Sequence, residues 1–285
     1  MLTLPKPPRF HLSDPPLVQA LAQLNYPLVA RLSSLSGLAP IQDALQDAYP
    51  YMQQQQVQEI NLNFGPAGPG QAESSFSTIT TLTDDDGWQV AIGAGSTTLS
   101  VGNAYSGQRE FSERFLRLCE VLAASAGIRR ADRLGVRYLD VVSIDPSGRD
   151  GWSTWFRPEL VGLTQPDLLG GTDLVASITE TRLTRPASTP GQGWAGSAVQ
   201  SVLRHGVVPP NSVLAGVPPQ PIATPSFIFD FDIFVVGAQI FLPEIIQGRY
   251  EALHGEIEKI FYWSLTDEGA KRFGMTVEMD EAAQG

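Results

Sequence analysis

Apolar residues alternate with a period of two along Leu17–Tyr26, where Val18, Ala20, Ala22, Leu24 and Tyr26 share one face. That period predicts a strand, closed by Pro27. The period then lengthens. Ile41, Ala44, Leu45 and Ala48 form an i, i+3, i+4, i+7 stripe that predicts a helix over Ala39–Tyr49, with Pro40 in its first turn and Pro50 at its end. Alternation returns over Val57–Phe64, and, beyond a Gly/Pro loop at Gly65–Gly70, over Phe76–Leu82, Trp88–Ile92 and Thr97–Val101. Asp84-Asp-Asp-Gly87 supplies a hairpin turn within this meander. The clearest helical stripe is Phe111, Phe115, Leu118, Cys119 and Leu122, within Gln108–Ala126, and Gly127 is placed to cap it. The strand Arg133–Ile144 follows directly and carries Arg133 and Arg137 on one face.

Beyond a turn at Asp145-Pro-Ser-Gly148, strands are predicted at Asp173–Leu183, Trp194–His205 and Ser226–Val236. A Pro-heavy loop, Pro209–Pro225, separates the last two. In the third, Phe227, Phe229, Phe231, Ile233 and Val235 occupy one face, and Asp230 and Asp232 the other, between Ile228 and Phe234. Pro243–Leu265 reads as a long helix with Ile246, Tyr250, Leu253, Ile257 and Ile260 inward, and Thr266-Asp-Glu caps a short final helix ending at Gly274. Runs of strands without helices between them predict antiparallel sheets with helices on one face. The expected class is α+β, in two antiparallel-sheet halves, 1–148 and 149–285, each with one long amphipathic helix packed on its sheet.

Composition narrows the function more than the fold. The chain of 285 residues is 42% hydrophobic, enough for a sizeable core. Thirty acids against nineteen bases leave a formal charge of −11, which repels phosphate backbones and argues against nucleic-acid binding. The one basic concentration, seven arginines against four acids over Arg109–Arg137, has a surplus of only three. A single cysteine excludes an intrachain disulfide and a cysteine zinc site, and Cys119 falls on the apolar stripe as a buried, inert thiol. The first residues contain no signal-like apolar run, and no stretch has the length of a membrane span. A soluble cytoplasmic protein without membrane contact is expected.

Candidate chemistry is sparse. Arg133 and Arg137 require carboxylate partners if their face is covered, and Glu110, Glu113 and Asp140 are the nearest in sequence. Asp230 and Asp232, two apart on one strand face, have the spacing of a metal-binding or acid/base pair, with an exposed or edge strand as the plainer reading. His205 has no nucleophile paired with it in sequence. His254-Gly-Glu256 lacks the Pro-Cys-x-x-Cys half of a deaminase site, so His254 reads as a packing residue. Gly93-Ala-Gly-Ser96 and Gly193-Trp-Ala-Gly-Ser197 have neither phosphate-loop nor nucleophile-elbow spacing. No catalytic residue, metal site or cofactor is assigned. Arg133, Arg137, His205, Asp230 and Asp232 stand as the ligand-binding candidates.

Several segments resemble a patchily distributed family of uncharacterised bacterial proteins of similar length. They are Pro15-Pro-Leu-Val18, Trp88 after the acidic turn, Tyr105 before Phe111, Arg133-Leu-Gly-Val-Arg-Tyr-Leu-Asp140, Phe229-Asp-Phe-Asp232, and His254 with Ile260-Phe261 and Thr266-Asp-Glu268. An acidic residue usually follows the opening motif in that family, where this chain has Gln19. The resemblance implies a fold pattern and an accessory bacterial setting, of the defence or toxin-neutralisation type, and transfers no chemistry. The expected function is therefore a non-enzymatic protein-interaction component with another protein as partner. The alternative is an enzyme or small-ligand binder with the five candidates in a cleft between the halves.

Overall fold

The computed structural model describes residues 3–65, 68–143, 151–162, 174–185, 197–212 and 222–278. The strands are β1 (Phe10–Leu12), β2 (Leu17–Asn25), β3 (Tyr51–Gly65), β4 (Gly68–Thr83), β5 (Gln89–Ile92), β6 (Ser96–Val101), β7 (Arg130–Ser143), β8 (Ser177–Arg185), β9 (Val199–Val208), β10 (Ser226–Ile240) and β11 (Met275–Val277). The helices are α1 (Leu35–Leu45), α2 (Gln108–Val121), α3 (Gly151–Trp155), α4 (Pro158–Val161), α5 (Pro243–Ser264) and α6 (Asp267–Arg272). Nine strands form one antiparallel sheet in the order β3-β4-β5-β6-β2-β7-β10-β9-β8, and β1 pairs with β11 in a second sheet. The class is α+β.

The chain folds as two units. One comprises Met1–Ala20, Val136–Val235 and Glu251–Gly285, the other Leu21–Gly135 and Val236–Tyr250. In the second unit the core is aromatic. Phe111 of α2 stacks on Tyr250 at 5.3 Å between ring centroids, Phe115 lies 5.2 Å from the same ring, and Trp88 lies 5.6 Å from Phe111. Such offset and tilted pairs add to the area they remove from water. Gly127, in the left-handed region at φ 65°, closes the π-helical turn Leu122–Ala126 that ends α2. The acidic hairpin turn forms as expected: Asp84 Oδ1 accepts from the backbone N–H groups of Asp86 and Trp88.

In the first unit, Phe227 of β10 stacks on Phe156 at 4.7 Å, and Phe229 meets Phe261 of α5 edge-on at 6.4 Å. The odd-numbered face of β10 is therefore the face that carries the helices. Thr266 caps α6 through a hydrogen bond from the Gly269 N–H.

Several expectations need correction, and among them β3 begins at Tyr51, six residues before its alternation placed it, and β4 takes in Gly68–Gly70 of the expected loop. Helix α1 begins at Leu35, capped by Ser34, so Pro40 lies inside it and not in its first turn. The Ser34 side chain, accepting from the Gly37 N–H, draws the helix start forward by one turn. Strand β8 begins at Ser177, four residues later than the pattern placed it. Strands β1 and β11, three residues each, lie within stretches with no periodicity to read. The predicted Trp194 strand start and the turn at 145–148 lie outside the described residues.

Candidate functional site

Strand alternation decides which of the singled-out residues meet. Asp230 faces away from Phe229 and therefore away from the helices. Arg137 reaches it with a bidentate contact, Nε to Oδ1 at 2.6 Å and Nη2 to Oδ2 at 2.8 Å. Arg204, opposite Asp230 in the β9–β10 register, adds a third hydrogen bond to Oδ2 at 3.2 Å. Its Nε donates to Glu180 of β8 at 2.7 Å, and Arg182 donates to the same carboxylate at 2.7 Å. The charges alternate in sign from Arg137 to Arg182, across β7, β10, β9 and β8.

The Asp230 side chain is only 3% exposed and that of Arg137 16%, so the pair is largely out of water. A carboxylate this buried needs several donors to offset its desolvation, and three guanidinium N–H groups supply them. Toward Glu180 the network reaches solvent, where its two arginines hold that carboxylate below its ordinary range. Leu139, Val208 and Ile228, with Val18, Val141 and Ile222, form an apolar cluster on the same face.

His205 is adjacent to Arg204 and so points to the other face. Its Nδ1 lies 2.7 Å from the Leu160 carbonyl of α4, and burial lowers its pKa. His205 is not part of the Asp230 cluster. Arg133 lies in the other unit, where its Nη1 donates to Gln23 Oε1 at 3.0 Å. Asp232 shares the strand face of Asp230 and is half-buried. Of the five candidates, the structure brings Arg137 and Asp230 into direct contact.

The carboxylate partners expected from sequence proximity are replaced. Glu110 pairs with Arg114 at 2.9 Å and Glu113 with Arg109 at 3.0 Å, both within α2. Asp140, three residues beyond Arg137, points to the helix-bearing face with Tyr138. Asp230 is also not on an edge: β10 lies between β7 and β9.

Asp140 is the most perturbed carboxyl of the group. Burial pushes its pKa up to about 8, with the nearby Asp230 charge adding to the rise. It therefore holds its proton at neutral pH. On the same face His254 meets the Tyr138 ring edge-on at 5.3 Å, and burial lowers its pKa to about 4, so it is neutral. Cys119 is buried, and its thiol is pushed far above its usual range. Among the described residues no three His, Cys, Asp or Glu side chains gather as a metal site, and no helix is long and apolar enough to cross a membrane. The arrangement keeps a proton on Asp140 and holds the Asp230 side chain between Arg137 and Arg204.

A different surface stands out for its exposure. At the end of β10, Val236, Ala238 and Ile240 alternate onto one face and are all exposed. Ile240 is 69% exposed and Val236 47%, and Leu242 and Ile245 follow at 47% and 42%. All belong to the second unit. Gly237, between Val236 and Ala238, has φ 136°, a backbone conformation that favours glycine. The sequence pattern ends this strand at Val236, and the structure carries it on to Ile240. The signal for the longer strand is the alternation of apolar Val236, Ala238 and Ile240 with Gly237 and Gln239.

No family model, curated protein or solved structure matches the chain.

Proposed function

We propose that the protein is a non-enzymatic protein-interaction component, and that the uncovered apolar strand face of Val236, Ala238 and Ile240, with Leu242, is where a partner binds. That face is the observation that carries the reading. Three apolar side chains in a row on one strand face, left in water, are what a protein partner removes from water on binding. The ion-pair network supports the same reading. Arg137 and Arg204 both donate to Asp230, and Arg204 also donates to Glu180, contacts of the kind a structural network makes. The family resemblance adds a setting, an accessory bacterial system of the defence or toxin-neutralisation type.

Affinity capture from the native host, run in parallel with wild-type protein and the V236D/I240D variant, tests this. A partner retained by wild type and lost from the variant is expected, with the variant melting as wild type does. A partner retained equally by both, or none retained by wild type, would contradict the reading.

The alternative, an enzyme or small-ligand binder with Arg133, Arg137, His205, Asp230 and Asp232 in one cleft, is less favoured, because His205 bonds Leu160 on the face opposite Asp230 and Arg133 bonds Gln23.

A further inference from the structure

We propose that the outer edge of β3 pairs with the β3 edge of a second copy of the chain, antiparallel and about a two-fold axis at Gln54. Strand β3 is the first in the sheet order, and no strand among the described residues pairs with its outer edge. It is fifteen residues long and stays in unbroken register with β4 from Tyr51↔Thr83 to Leu62↔Ala72. Only residues 80–83 of β4 pair onward with β5. From Gln55↔Ile79 outward the ribbon is therefore two-stranded among the described residues, and two strands alone are marginal in water.

Edges of this kind are normally protected by charge, proline or a bulge. The other end of the sheet follows that rule, since β8 carries Glu180, Arg182 and Arg185. Tyr51-Met-Gln-Gln-Gln-Gln-Val57 carries no charge and no proline, and its register has no bulge. Gln53, Gln54, Gln55 and Gln56 are all exposed.

The occupant follows from self-complementarity. A two-fold axis perpendicular to a sheet keeps each residue on its own face, so opposed residues have the same parity. About Gln54 this sets Gln54 against Gln54, Gln53 against Gln55, and Tyr51 against Val57. The last is an aromatic–β-branched pair, Gln53, Gln54 and Gln55 face one another as amides, and Gln56 lies opposite Met52. Two chains of charge −11 repel each other, and residues 51–57 add no charge of their own, with Asp85 held to the Tyr51 hydroxyl at one end of the segment. The proposed edge is separate from the apolar face at the end of β10, so either stands if the other fails.

Sedimentation velocity over a concentration series tests it, using wild type, Q53K/Q55K and Q53E/Q55E. Both positions are exposed, and matching thermal melts establish that the variants fold. Wild type is expected to dimerise. Each charged variant sets like charges opposite each other twice and raises the dimer dissociation constant by about tenfold or more. An equimolar mixture of the two variants restores association, because each lysine then opposes a glutamate. A monomeric wild type, a dimer indifferent to the charges, or a mixture that stays monomeric would each overturn the proposal.

Discussion

Arg137 binds Asp230 through two hydrogen bonds inside a nearly dry environment, and removing either partner leaves a charge there with reduced compensation. Arg137→Ala is expected to lower stability by roughly 3 kcal/mol, the low end for breaking a buried pair, because Arg204 still reaches Asp230. Denaturant unfolding measures it, and an unchanged midpoint would contradict the network. Arg204→Ala should cost less, since that side chain is a third exposed. Asp140 supplies a pH dependence of definite sign. Its pKa rises on folding, so the folded state holds a proton that the unfolded state has released. The stability it contributes is complete below about pH 4 and is lost as the pH climbs through about 8. His254 acts the other way, contributing stability above about pH 6.5 that is lost as the pH falls toward 4. Between about pH 6.5 and 8 the Asp140 contribution changes after that of His254 is complete. Wild-type stability should fall with pH over that window more steeply than that of Asp140→Asn, and equal slopes would count against the assignment. Sequence reasoning finds Arg137 and Asp230 separately but cannot join them, because 93 residues separate them and only the sheet order brings β7 beside β10. Arg204 is legible in principle, as the residue alternating with His205 onto the aspartate face.

Strand and helix identities come through where the periodicity is long. Helices α2 and α5, the alternation of β2, and the two faces of β10 all follow from spacing, because each has one face on a core and one away from it. Boundaries fail where a local bond competes, as at Ser34, or where the element is too short to repeat its pattern, as in β1 and β11. Gly206 gives a sharp test of the β8–β9 pairing. Its φ is 136°, and a Cβ there would lie 1.9 Å from the Ser177 carbonyl oxygen, which is backbone and cannot swing aside. Gly206→Ala should therefore disrupt the pairing of Ile178 with Gly206 and destabilise the protein by about 2 kcal/mol or more. Hydrogen exchange of the β8 amides should rise first, and unaltered exchange in β8 would show that the strands shift together to admit the methyl group.

The fold class is legible because consecutive alternating segments leave few alternatives to antiparallel sheet. The proposed interaction face is not, because exposure at Val236 and Ile240 depends on how the rest of the chain packs around β10, and periodicity alone does not record that. Net charge remains the strongest constraint on partners. With a charge of −11 and a local surplus of three over Arg109–Arg137, mobility-shift assays with mixed-sequence DNA and RNA at physiological salt should show no submicromolar binding. Several of those arginines are also engaged, with Arg109, Arg114 and Arg117 in ion pairs along α2. The partner-binding role is tested most directly by hydrogen–deuterium exchange of the captured complex against the free chain. Protection concentrated in the peptides spanning residues 236–245 is the predicted result, and a complex that leaves those peptides unprotected while protecting another surface would contradict it.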